Sequence, residues 1–156
     1  LLRRLAGDPR WRCWVAVTPD AAISAGRLWP NSATAIPQGP GDLGGRMGRV
    51  MRCLPPGPVV IVGADIPVVR ALHIAAAFRA LGNNKVVFGP AFDGGYWLVG
   101  QRRRPGRPEM FKNVRWSTSH ALADTLANLP DGDAAFLETL EDIDDSQALA
   151  RFKSSL

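Results

Sequence analysis

With 156 residues and 16.8 kDa, of which 46% are hydrophobic and 21% charged, the chain has the length for one core-bearing domain over 1–156. Its composition excludes a disordered or fibrous protein. It has no apolar stretch long enough to span a bilayer and no charged-then-apolar leader, so a cytoplasmic protein without a membrane span is expected. A net charge of +5 raises the question of nucleic acid. The arginines, however, fall in separate groups (Arg3, Arg4, Arg10, Arg12; Arg46, Arg49, Arg52; Arg102, Arg103, Arg104, Arg107) without an interleaved aromatic platform. A solvated basic surface is the preferred reading, with no nucleic-acid partner.

In chain order, Cys13 to Thr18 reads as a short strand ended by Pro19-Asp20, and Ala21 to Leu28 as a weak helix before the breaker Trp29-Pro30-Asn31-Ser32. Thr34 to Ile36 reads as a small strand leading into the loop Pro37 to Asp42. Leu43, Met47, Val50, Met51 and Leu54 then recur at helical spacing behind Asp42 as N-cap. Val59 to Val62 is a central strand, Val69 to Leu81 an alanine-rich helix stopped by Gly82-Asn83-Asn84, and Lys85 to Phe88 the next strand. Tyr96 to Val99 follows the Asp93-Gly94-Gly95 turn. Ser117-Thr118-Ser119 offers caps for a helix through Leu129, Ala134 to Leu137 a late strand, and Ser146 to Phe152 a final helix. The alternation predicts a parallel-dominated α/β domain with helices on both faces.

The chemistry concentrates where two apolar runs stop at an aspartate: Val59 to Val62 before Gly63-Ala64-Asp65, and Val86 to Phe88 before Asp93-Gly94-Gly95-Tyr96. Ligands of open α/β sheets bind beyond the carboxyl ends of the strands, so both acids are expected to reach one site. Asp65 reads either as a ligand for Mg²⁺ or Mn²⁺ or as the N-cap of the next helix. At Asp93, the paired glycines Gly94 and Gly95 suit a ligand approaching the backbone or a hairpin turn, and Tyr96 and Trp97 could form an aromatic wall. The stretch Gln38 to Met47 is a glycine-rich loop opening a helix, where Arg46 could grip an anion. It does not match the G-x-x-x-x-G-K-[ST] pattern. Trp116-Ser117-Thr118 serves either capping or substrate contact, with His120 in the following turn. His73 is read as structural. Asp142, Asp144 and Asp145 cluster before the last predicted helix. Cys13 and Cys53 fit neither a zinc pattern nor a disulfide framework and are expected to be free, mostly buried thiols. No Gly-x-Ser-x-Gly nucleophile motif is present.

In this order, Gln38 to Met47, Gly63-Ala64-Asp65-Ile66-Pro67, Gly89 to Gly100 and Trp116-Ser117-Thr118 resemble a bacterial family of GT-A-like proteins, the DUF2064 or arsenosugar-biosynthesis-type glycosyltransferases. The resemblance implies a nucleotide-diphospho-sugar transferase fold: a three-layer α/β/α sandwich with a mostly parallel mixed sheet. It also implies metal ligation by Asp65, with Asp144 as a partner within the late Asp142-Ile143-Asp144 segment, and Mg²⁺ or Mn²⁺ as cofactor. Asp93 becomes the catalytic residue, and Gly41, Asp42, Arg46, Gly94, Gly95, Tyr96, Trp116, Ser117 and Thr118 become substrate-binding. Family members usually begin with a strand and a basic nucleotide loop. This chain opens at Leu1-Leu2-Arg3-Arg4-Leu5, within the helix that follows, so an N-terminally truncated sheet is expected.

Three functions compete. The first is metal-dependent transfer of a sugar from a nucleotide-diphosphate donor to a small-molecule acceptor. The second is nucleotidyl transfer from an NTP, of the phospholactate or molybdopterin-cofactor type, and the third is a degenerate binding domain without catalysis. Fold analogy does not choose among them, and a homo-oligomer is left open.

Overall fold

A computed structural model describes residues 1–24, 29–104, 106 and 108–140. Its elements alternate: α1 (Leu2–Ala6), β1 (Cys13–Val17), a 3-10 turn (Asp20–Ser24), β2 (Ala33–Pro37), α2 (Leu43–Cys53), β3 (Val59–Val62), α3 (Ala71–Ala80), β4 (Val86–Pro90), β5 (Tyr96–Gln101), α4 (Ala121–Ala127) and β6 (Ala134–Phe136). The weak helix expected from Ala21 is this 3-10 turn, and 25–28 lie outside the described residues.

β3, β5, β4 and β6 form one mixed sheet in that order. β5 runs antiparallel to both neighbours, whereas β6 is parallel to β4, so β3, β4 and β6 share a direction. β1 and β2 pair parallel as a separate two-stranded unit. Among the described residues, β3 is paired on one edge only, with β5.

Both faces of the four-stranded sheet are covered, giving three layers. On one face Ile74, Ala77 and Leu81 of the α3 segment pack with Val87, Trp97, Leu98 and Leu5. On the other, Met47 and Met51 of α2 pack with Val59, Val86, Phe88, Val99 and Met110. β4 and β5 read as continuous apolar runs because both are buried on both sides. Phe88, Val86 and Val87 are fully buried, a burial of about 1.5–3 kcal/mol for a side chain of their kind. The register shifts between Gly89 and Pro90, which pair with Leu98 and Tyr96 and leave Trp97 as the extra residue of a bulge. That places Trp97 beside Leu98 on the α3 face, where its indole Nε1 donates to the Glu138 carbonyl (3.1 Å).

α2 begins as its sequence predicts, with the Asp42 carboxylate accepting from the Gly45 N–H at 2.7 Å. α3 does not start on an acid. Its N-cap is Arg70, whose backbone N–H donates to His73 Nδ1 (3.2 Å), while His73 Nε2 faces Glu138 Oε1 (3.1 Å). His73 is buried against Trp97 and structural, and its burial pushes its pKa down. The N-cap reading of Asp65 is therefore overturned: Asp65 lies five residues upstream of the cap. α4 also departs from expectation. It starts at Ala121 with His120 as N-cap and no side-chain cap, because Thr118 instead folds a tight turn. Its Oγ1 donates to the Arg115 carbonyl (2.8 Å) and accepts from the His120 N–H (3.2 Å).

Much of the basic charge serves the backbone. Arg4 donates to the carbonyls of Pro67 and Val69, tying α1 to the loop after β3, and Arg102 donates to the Gly82 carbonyl. Arg103 is buried and donates to the carbonyls of Met51, Leu54, Pro55 and Gly57 at the end of α2. Cys13 is half-buried, with its thiol pushed up by burial. Cys53 is exposed at the end of α2, which corrects the expectation of two buried thiols, since the other face of that helix carries the core. No helix among the described residues is long and apolar enough to cross a membrane.

Candidate active site

β3 and β4 run the same way, so their carboxyl ends lie at one edge of the sheet. Asp65 follows β3 by three residues and Asp93 follows β4 by three, and both line one open cleft of about 490 Å³. Gly95 and Tyr96 continue the floor from the β4–β5 turn, Leu43 enters from the start of α2, and Trp116, Ser117, Thr118, Ser119 and Ala121 form the opposite wall.

Local chemistry shapes each part. The turn closes with the Ala91 N–H donating to the Gly95 carbonyl (3.1 Å), and the Gly95 N–H donates to Asp93 Oδ1 (2.7 Å). One oxygen of Asp93 is thus held, and among the described residues no protein donor is bonded to Oδ2 or to the carboxylate of Asp65. Both acids are exposed. Gly94 has φ +87° and packs against the wall, its own carbonyl accepting from the Leu122 N–H (3.1 Å). Ser117 carries a left-handed φ of +59°, an uncommon state for a residue with a side chain.

The aromatic wall predicted at Tyr96 exists, but Trp97 is not part of it, since the bulge turns that indole into the core. Trp116 takes the place, edge-on to Tyr96 (centroids 6.4 Å) and seated over Gly44. Burial pushes the Tyr96 phenol up to about 12, with its hydroxyl 3.4 Å from Thr125 Oγ1. The indole Nε1 of Trp116 is buried without a partner among the described residues.

The glycine-rich loop stands apart. Gly41 and Asp42 do not line the cleft: Asp42 is engaged as the α2 cap, and the Gly41 carbonyl accepts from Arg46 Nε (2.9 Å). Arg46 therefore folds back onto its own loop, and Arg49 grips the same loop through the carbonyls of Gln38 (2.6 Å) and Pro40 (2.8 Å). Of the residues expected to bind substrate, Gly95, Tyr96, Trp116, Ser117 and Thr118 meet at the cleft. Gly94 supports it from behind, and Gly41, Asp42 and Arg46 do not reach it. Asp142, Asp144 and Asp145 lie outside the described residues, as does the helix expected over 146–152.

Sequence reasoning missed Asp124. Its carboxylate binds Arg115 through Nε (2.8 Å), Nη2 (2.8 Å) and the backbone N–H (3.0 Å), directly before the wall. These bonds hold the Asp124 carboxyl well below the usual carboxylate range. An Asp nine residues from an Arg carries no helical or strand periodicity, so no local signal marked the pair.

A three-layer domain with an antiparallel β5 inside an otherwise co-directional sheet, and two acids at its carboxyl edge, has the fold of the nucleotide-diphospho-sugar transferases. The chain belongs to the DUF2064 family, described as an uncharacterized protein conserved in bacteria, which it matches over residues 1–118. Its fold is similar to a crystal structure described as a "putative nucleotide-diphospho-sugar transferase" from Desulfovibrio desulfuricans G20. The TM-score is 0.81 at 25% sequence identity, over 99% of this chain and 70% of that one. No curated protein matches the chain.

Proposed function

We propose that the cleft binds a nucleotide-diphospho-sugar and that these residues transfer its sugar to a small-molecule acceptor. The observation that carries this reading is the convergence of Asp65 and Asp93, from strands β3 and β4, on one cleft with an aromatic wall. The likeness to the Desulfovibrio protein supports the same substrate class.

The residues lining the cleft supply carboxylate and hydroxyl oxygens, with neither His nor Cys, while the Tyr96 hydroxyl meets the buried Thr125 and the Trp116 indole N–H is itself buried. That set fits Mg²⁺ or Mn²⁺, which prefer oxygen and take much of their coordination from water and substrate phosphate. Such an ion would be shared between a protein carboxylate and the diphosphate of the substrate. Asp65 would hold it, with Asp144 as a second ligand. When bound, such an ion neutralises charge developing on the departing diphosphate. Asp93, with Oδ1 fixed by Gly95, presents Oδ2 to orient an acceptor hydroxyl and take its proton. Tyr96 and Trp116, which line the cleft, would supply apolar contact to a sugar or base.

A thermal-shift screen of nucleotide sugars and NTPs, each with and without Mn²⁺, tests the proposal. A nucleotide sugar with Mn²⁺ at about 100 times its Kd should stabilise the fold by ~2.7 kcal/mol. A response confined to NTPs points to nucleotidyl transfer, and silence throughout to a non-catalytic domain.

A further inference from the structure

The wall of the cleft is a loop with little regular hydrogen bonding of its own, and Ser117 sits in it with a left-handed backbone. Such a residue keeps its conformation only where its surroundings enforce it. Besides the packing of the Trp116 ring on Gly44, Tyr96 and Phe111, two ties reach the backbone of the loop. At its far end the Ser119 backbone abuts Gly94, and at its near end three hydrogen bonds join Arg115 to the Asp124 carboxylate on α4.

The near tie is unlike an ordinary surface pair. Arg115 is 59% exposed in its side chain, and exposed ion pairs add little to global stability. Yet Asp124 is only 17% exposed, is met in a bidentate fork and accepts from the Arg115 backbone as well, which fixes the Val114–Arg115 peptide just before Trp116. Thr118 Oγ1 then closes the turn onto the Arg115 carbonyl. His120, one turn before Asp124, is the other titratable group beside this carboxylate.

We propose that Arg115 and Asp124 are positioning residues, whose fork holds Trp116 to Ser119 in the shape that the cleft presents to its ligand. The inference rests on the proposed function only for the identity of that ligand. Lysine in place of Arg115 keeps the charge but loses the fork, and asparagine in place of Asp124 keeps the volume but loses the charge.

Amide hydrogen exchange on Asp124→Asn and Arg115→Lys, beside titration of nucleotide sugars with Mn²⁺, tests it. Exchange at the amides of Arg115, Trp116 and His120, which donate hydrogen bonds in and beside the wall, should rise about tenfold in both variants, with protection in α3 and β4 unchanged. Nucleotide-sugar affinity should fall about fivefold or more, with the larger effect in Asp124→Asn. Unchanged exchange at the wall in both variants overturns the proposal, as does faster exchange with unaltered affinity. If no nucleotide sugar binds the unaltered protein, the substrate reading fails, and the exchange measurement still decides whether the fork orders the wall.

Discussion

Gly94 and the Ser119 carbonyl meet so closely that a Cβ on Gly94 would lie 2.3 Å from that oxygen. This contact joins the turn bearing Asp93 to the wall bearing Ser117 and Thr118. It explains why glycine is needed there for space as well as for its φ of +87°.

Alanine at Gly94 should therefore destabilise the fold by about 2–4 kcal/mol, from a left-handed backbone plus overpacking against a main chain that cannot rotate away. Gly132 is the control. Its φ is +80° but nothing lies within 4 Å of its would-be Cβ, so Gly132→Ala should cost only ~1 kcal/mol. Urea unfolding of the two variants gives the order, and equal losses would show that Gly94 is required for backbone conformation alone.

Asp65→Asn keeps the side-chain volume and removes the charge. Because Asp65 is exposed beyond β3 and caps no helix, stability should change by less than about 0.5 kcal/mol. Metal-dependent donor affinity should drop about tenfold or more, ~1.4 kcal/mol. Asp93→Ala should spare donor binding and slow transfer. Calorimetric titration of donor with and without Mn²⁺ separates the two, and unaltered metal-dependent binding in Asp65→Asn would remove it from the ion site.

The sheet and the shared cleft were legible because their signals are local. Apolar β-branched runs mark β3 and β4, the apolar period marks α2, and a glycine after each run marks where the acids leave the sheet. What stayed hidden depends on partners distant in sequence. Arg103 and Arg4 look like surface charge until carbonyls 46 to 65 residues away are placed beside them. Ser117 and Thr118 look like helix caps because a capping hydroxyl and a turn-closing one have the same local sequence. Trp97 and Trp116 are interchangeable as candidate wall residues until the bulge decides which side Trp97 takes.

Tyr96 is the chain's single tyrosine, so phenolate absorbance reports it alone. Its folded pKa lies above the unfolded value of about 10, at about 12. The folded state thus binds the proton more tightly, and the stability linked to it is complete below pH 10 and lost as pH rises towards 12. Tyr96→Phe should unfold with a shallower alkaline loss than the parent between those limits, at a neutral-pH cost of about 0.5–1 kcal/mol for the hydroxyl. A spectrophotometric midpoint near 10 in the folded protein would contradict the burial of this phenol.

Arg103 carries the most demanding packing prediction. Its guanidinium Nε donates to the Gly57 carbonyl (2.7 Å), its Nη1 to those of Met51 (2.6 Å) and Leu54 (2.9 Å), and its Nη2 to that of Pro55. Only a planar fork reaches oxygens spread in this way, and it gathers the end of α2 and the approach to β3 around one cation. Arg103→Ala leaves the buried Met51 carbonyl without its donor, at about 1–3 kcal/mol, and strips the part-buried carbonyls of Leu54, Pro55 and Gly57 of theirs, so a loss of ~2 kcal/mol or more is expected. Lysine has one ammonium to aim and should recover less than half of that loss. Both effects are read by urea unfolding, with far-UV circular dichroism to confirm that each variant starts folded. A lysine variant as stable as the parent would mean that charge, not the geometry of the fork, secures this junction.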